Sequence, residues 1–172
     1  MQSSLDILVP EVADLVAEWY RVTQAAEDGM PPHMTLLWPW IEPPVAESAI
    51  SRAADAVAGL ASFTLTFNRC GRFPGVVYLV PEPVGPVDGL VRSLRVAFPE
   101  TPPFRGEFGR APIPHLTAAK SKNEAHLDHV QSTLDRSLSG APITVAVSHI
   151  SVSEAGLGAD DRWGVRAELP LA

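Results

Sequence analysis

Pro32-His33-Met34-Thr35-Leu36-Leu37 is echoed in the second half of the chain by Pro114-His115-Leu116-Thr117-Ala118-Ala119, and this repeat constrains both the fold and the chemistry. In a strand, successive side chains alternate between faces, so residues i and i+2 point the same way and the residue between them points into a core. Each copy therefore projects an imidazole and a hydroxyl together. Met34 and Leu36, or Leu116 and Ala118, supply the buried face. Two such strands brought side by side place His33, Thr35, His115 and Thr117 around one cavity.

Composition alone does not account for the repeat. With 5 histidines, a His-x-Thr is expected about 0.2 times per chain. Two copies, each with a proline directly before the histidine, exceed that. Positions 33 and 115 lie 82 residues apart, roughly half the chain, as an ancient duplication would leave them. The bland alternative is that both are ordinary strand histidines with satisfied hydrogen bonds, and the matched contexts argue against it.

A chain of 172 residues with 46% hydrophobic content can bury a core and is read as one domain, residues 1–172, of two lobes. No apolar run is long enough to span a bilayer, and no basic segment precedes an apolar one at the N-terminus, so a signal peptide is not expected. The single Cys70 rules out an internal disulfide framework and gives no zinc pattern, which makes a reducing cytoplasm the expected location. The net charge of −7 argues against wrapping a long polyanion or duplex DNA. It leaves room for a small nucleotide or an RNA terminus as partner. No membrane partner is expected, and the chain is read as a monomer.

Strand and helix patterns alternate along the chain. Leu5 to Val9 reads as a short apolar strand, followed by a helix opened by Pro10, carrying Val12, Leu15, Val16 and Trp19, and ended by Gly29, Pro31 and Pro32. After the first motif, Ile50, Ala54 and Val57 mark a helix that Gly59 stops. Phe63, Leu65 and Phe67 alternate as a strand, and Val76 to Val80 is another, joined through Arg72-Phe73-Pro74-Gly75. Val87, Leu90, Val91, Leu94 and Phe98 form a helical stripe, and Pro99 to Pro114 is a long loop leading to His115. Asn123 caps a helix bearing Leu127, Val130, Leu134 and Leu138. Ile143, Val145 and Val147 alternate, Gly156 and Gly158 mark a turn, and Trp163 to Leu169 closes a hairpin.

Paired His-x-[Thr/Ser] motifs, one in each half of a chain of this size, resemble those of the 2H phosphoesterase superfamily. The nearest likeness is to its 2′-5′ RNA ligase-like or RNA 2′,3′-cyclic phosphodiesterase branch. Thr35-Leu36-Leu37-Trp38-Pro39-Trp40, the stretch Gly71 to Leu79, and Phe98 to Phe104 leading into Pro114-His115-Leu116-Thr117 are all similar to segments of that branch. Leu5 to Val9 and the segment after Ala141 fit it more loosely. The resemblance implies an α+β fold, bilobal and pseudo-twofold, with two mostly antiparallel sheets facing a central cleft and helices outside. It also implies a phosphodiesterase acting on cyclic phosphates or 2′-5′ linkages, with His33, His115, Thr35 and Thr117 as catalytic residues.

The chemistry of such a pocket follows from first principles. Opening a 2′,3′-cyclic phosphate needs a base for water and an acid for the departing ribose oxygen, on opposite sides of phosphorus. Histidine serves both near neutral pH because its reference pKa is about 6.5. Thr35 and Thr117 can donate hydrogen bonds to the non-bridging oxygens as charge builds. The scheme calls for no cofactor and no metal. Which histidine is acid and which is base is left open, and joining a cyclic phosphate to a hydroxyl would use the same groups.

Weaker candidates surround this core. Arg72, Arg105, Arg110 and Lys120 could contact phosphate, although each alone is more often a solvated charge. Lys120 falls out of phase with Thr117 on an ideal strand. Trp38, Trp40 and Phe73 could stack a base, against the commoner reading of core aromatics. His126 and His129 share a helix face away from the leucine stripe and read as solvated surface. His149 reads as structural. Two further functional classes stand beside the enzyme: a binding module for an RNA terminus or nucleotide with little or no catalysis, and an interaction protein with structural histidines. Turnover of a 2′,3′-cyclic nucleotide separates the first from both, and binding without turnover separates the other two.

Overall fold

A computed structural model describes residues 2–102, 104, 113–157 and 161–172. The order is β1 (Ser3–Leu8), a short 3-10 helix (Pro10–Val12), α1 (Ala13–Tyr20), α2 (Gln24–Glu27), β2 (His33–Leu37), α3 (Glu47–Val57), β3 (Phe63–Phe73), β4 (Val76–Glu82), α4 (Gly85–Ala97), β5 (Leu116–Lys120), α5 (Glu124–Gly140), β6 (Ile143–Val147), β7 (His149–Ala155) and β8 (Trp163–Pro170). The strands form two antiparallel four-stranded sheets, ordered β2-β1-β7-β8 and β5-β4-β3-β6. The fold is therefore α+β, and each motif lies on an edge strand of its sheet.

Alternation explains how each sheet finds its faces. In the first sheet Leu5, Ile7, Met34, Leu36, Ile150 and Val152 are buried, with α4 packed on β2 and α3 on β8. In the second, Leu65, Phe67, Val77, Leu79, Leu116 and Val145 are buried against α5 and α1. Burying one such aliphatic side chain contributes about 1.5–3 kcal/mol, so these faces fix the register of every strand. The opposite faces carry the polar residues. His33 and Thr35 share theirs with Asp6 and Ser4, while His115 and Thr117 share theirs with Tyr78 and Gly71.

The crossover helices join the halves. α1 leaves the first sheet from β1 yet packs on β5 of the second, and α4 leaves the second sheet from β4 yet packs on β2 of the first. Each half thus lends a helix to the other, and β2 and β5 meet along the seam.

Two details depart from the sequence reading. The helix opened at Pro10 ends at Tyr20, and buried Thr23 then starts the short α2, its hydroxyl accepting from the Ala26 N–H. The connection between β3 and β4 is only Pro74-Gly75, because Arg72 and Phe73 pair with Val77 and Val76. Gly75 has φ +74°, backbone that a side chain would strain. Most of the Pro99–Pro114 loop, with Arg105 and Arg110, and Gly158 of the later turn lie outside the described residues. Among the described residues, no helix is long and apolar enough to cross a membrane.

Candidate active site

Each motif histidine is held the same way. His33 Nδ1 lies 2.8 Å from the carbonyl oxygen of Pro31, and His115 Nδ1 lies 2.8 Å from that of Ile113. A carbonyl only accepts, so Nδ1 carries the hydrogen in both rings and Nε2 is left for a reactant. The proline between carbonyl and histidine, Pro32 or Pro114, fixes φ and thereby the approach. The two rings are close enough for the His33 charge to disfavour protonation of His115.

Their surroundings differ. Beside His33, the Tyr20 hydroxyl from α1 donates to the Pro31 carbonyl at 2.9 Å and lies 3.3 Å from Nδ1. Thr35 faces Asp6 across the β1–β2 ladder, and Asp6 is fully buried. Burial raises the Asp6 pKa, against the opposing pull of His33 and the Ser4, Ser153 and Thr35 hydroxyls. Burial, with Asp6 nearby, also raises the Tyr20 pKa, so its phenol stays neutral.

His115 stands instead against an aromatic wall. Phe73 stacks on Tyr78 at 4.3 Å between centroids, and both meet His115 edge-on, at 5.1 and 5.5 Å. Gly71 makes this possible, because a Cβ there would sit 2.2 Å from the Tyr78 ring. Burial lowers the His115 pKa, the Ile113 carbonyl opposes this, and the charges of Lys120 and His33 lower it further.

Lys120 reaches the site through a bulge. Tyr78 pairs with Thr117 but Val77 pairs with Ala119, so Ala118 is an extra residue in β5. Ala118 and Ala119 are consequently both buried, and Lys120 returns to the face of Thr117. Lys120 is out of phase with Thr117 only on an ideal strand.

The other candidates scatter. Arg72 points to the opposite face of β3 from Phe73 and binds Glu124 at 2.7 Å and Asp128 at 3.3 Å on α5. Trp38 is half-buried, its ring 6.0 Å from that of Phe104. Trp40 is buried edge-on against Phe98. His126 and His129 are exposed on α5, and His149 lies 3.7 Å from Glu168. Among the described residues, no three His, Cys, Asp or Glu side chains cluster as metal ligands would. Sequence reasoning passed over Asp6, Tyr20, Tyr78 and Gly71. A carboxylate inside the apolar run from Leu5 to Val9 was the one signal available.

Two antiparallel sheets that each bring a His-x-Thr edge strand to a common seam are the architecture of a two-histidine phosphoesterase. The chain belongs to the 2′-5′ RNA ligase superfamily, whose family model matches residues 8–158, both motifs included. Similar crystal structures include TT0787 of Thermus thermophilus, at 17% identity and TM-score 0.65, covering 99% of this chain and 98% of that one. Escherichia coli LigT complexed with 3′-AMP is similar at 20% identity and TM-score 0.63, again over 99% and 98%. LigT complexed with NADP+ is similar at 21% identity and TM-score 0.61, over 99% and 97%. At such identities the likeness is one of fold. No curated protein matches the chain.

Proposed function

We propose that the protein, acting as one domain, is a metal-independent phosphodiesterase that opens 2′,3′-cyclic phosphates or cleaves 2′-5′ linkages at RNA ends or in small nucleotides. The observation that carries this is the pair of His-x-Thr edge strands meeting at the seam, each with its imidazole fixed through Nδ1. LigT, of the same fold, has been crystallised with 3′-AMP and with ATP, which supports a nucleotide-sized ligand.

His115 is the base and His33 the acid in this reading. A lowered pKa keeps the His115 Nε2 lone pair free at neutral pH, while His33 lies within electrostatic reach of the Asp6 carboxyl group. His115 takes a proton from water as the water oxygen bonds to phosphorus. The bond from phosphorus to one ribose oxygen breaks, and His33 protonates that oxygen. Exchange with solvent then returns both imidazoles to their starting forms. Thr35 and Thr117 donate to the non-bridging oxygens, and Lys120 offsets the phosphate charge. Phe73, with Trp38 beyond the seam, provides apolar surface for a base.

The test is to supply the purified protein with 2′,3′-cyclic nucleotides, 2′-5′ dinucleotides and RNA carrying a cyclic end, with and without excess EDTA. Turnover that persists in EDTA is expected. Binding without turnover of any of these would favour a binding module instead.

A further inference from the structure

Asp6 is a fully buried acid at the centre of the polar face of the first sheet, a place where an unpaired carboxyl group is costly. Its cross-strand neighbours are Thr35 on one side and Ser151 on the other. Ser4 donates to Asp6 Oδ2 at 2.5 Å, whereas Oδ1 is buried without a hydrogen-bond partner. The Ser151 and Ser153 hydroxyls beside it are likewise buried, and Ser153 is among the hydroxyls that favour ionised Asp6. No apolar packing need explains an acid here. Leu5 and Ile7 already supply the packing face of β1, and Asp6 points the other way.

Resting on the reading of the site given above, we infer that Asp6 is a positioning residue: its carboxylate orients the Thr35 hydroxyl and holds the proton on His33 for transfer to the leaving oxygen. It acts through these two residues and not on substrate. The second half has no counterpart, because the corresponding cross-strand partner of Thr117 is Tyr78. The two lobes therefore surround their imidazoles differently, a carboxyl group near one and an aromatic wall against the other, an asymmetry that the repeated motif does not contain.

Among the described groups facing Asp6, Tyr20 on α1 remains a neutral phenol, and His33 on β2 is the basic group that acts on it. Glu168 lies across the ladder from Ser151, where it pairs with His149, and His115 and Lys120 act from the other sheet. Removing the Asp6 charge should thus be felt first at His33.

The experiment compares wild type, Asp6→Asn and Ser4→Ala in two readouts: pH–rate profiles on a 2′,3′-cyclic nucleotide and the NMR titration of the His33 imidazole. In Asp6→Asn, kcat should fall about tenfold or more with KM nearly unchanged, and the alkaline limb should move to lower pH by about one unit. The His33 titration should shift in the same direction. Ser4→Ala, which removes the donor that favours ionised Asp6, should move both the same way by less. An unmoved alkaline limb or an unmoved His33 titration in a folded Asp6→Asn protein overturns the inference. If that variant does not fold, the same null result in Ser4→Ala overturns it. Because the NMR titration needs no turnover, an inactive wild type would sink the phosphodiesterase reading alone.

Discussion

The Pro31 and Ile113 carbonyls give His33 and His115 the same tautomer, and what surrounds each ring then decides its charge. His115 ionises below the ordinary imidazole value of 6.5 because burial disfavours its charged form and Lys120 and His33 repel a further proton. If His115 is the base, activity needs its neutral form, so the acid limb of the kcat/KM profile should lie below pH 6.5. A profile already falling at higher pH would assign the base elsewhere. His33→Ala and His115→Ala should each lower kcat by orders of magnitude with the circular dichroism spectrum unchanged. Thr35→Ala and Thr117→Ala should cost about 1–3 kcal/mol each in transition-state stabilisation, the scale of a lost hydrogen bond to a charged group. Near-normal turnover in either histidine variant would remove the paired motif from catalysis.

At the scale of the element, the bulge in β5 and the bare backbone at Gly71 shape the His115 half of the site. Lys120→Ala removes a positive charge beside His115, so proton binding becomes easier and the acid limb should move to higher pH, while KM for an anionic substrate rises. An acid limb that stays in place would show that Lys120 does not face His115. Gly71→Ala drives a Cβ to 2.2 Å from the Tyr78 ring, and Tyr78 is packed between Phe73 and His115. The ring must move, so kcat should fall by about tenfold or more, since small displacements of reacting groups are costly. Unchanged kinetics would mean that Tyr78 does not position His115. These two residues mark where the sequence stopped being legible. Strand alternation made His33, Thr35, His115 and Thr117 readable as one set, because a two-residue period follows from pleat geometry alone. A bulge breaks that period without altering composition, so Lys120 was read on the wrong face. Arg72, on a β3 long enough to reach α5, pairs there with Glu124 and Asp128, contacts that chain order does not announce. Asp6 was absorbed into an apolar strand because its meaning depends on Thr35, a neighbour across the ladder and not along the chain.

For the whole molecule, the exchange of α1 and α4 between halves makes the seam of β2 and β5 a product of the entire fold. The same burial that shapes the site leaves a mark on stability. Asp6 holds its proton to higher pH in the folded state than the 3.8 of an ordinary aspartate, so the unfolded chain loses that proton first. Stability contributed at low pH is then lost as pH rises from about 4 through the folded pKa of Asp6. Asp6→Asn should flatten this part of the stability–pH curve measured by urea unfolding, and an unchanged slope would show that the carboxyl group is not desolvated. A last consequence concerns the two histidines together. Base and acid come from different halves, but each turnover needs both, since water attack without protonation of the leaving oxygen returns to reactants. Once one is removed, the other has little left to contribute. The double variant His33→Ala, His115→Ala should therefore be impaired barely more than the worse single variant, with residual rate from the threonines and Lys120. Multiplicative losses in that cycle would mean that the histidines act in separate steps, and the seam would then not be a single catalytic centre.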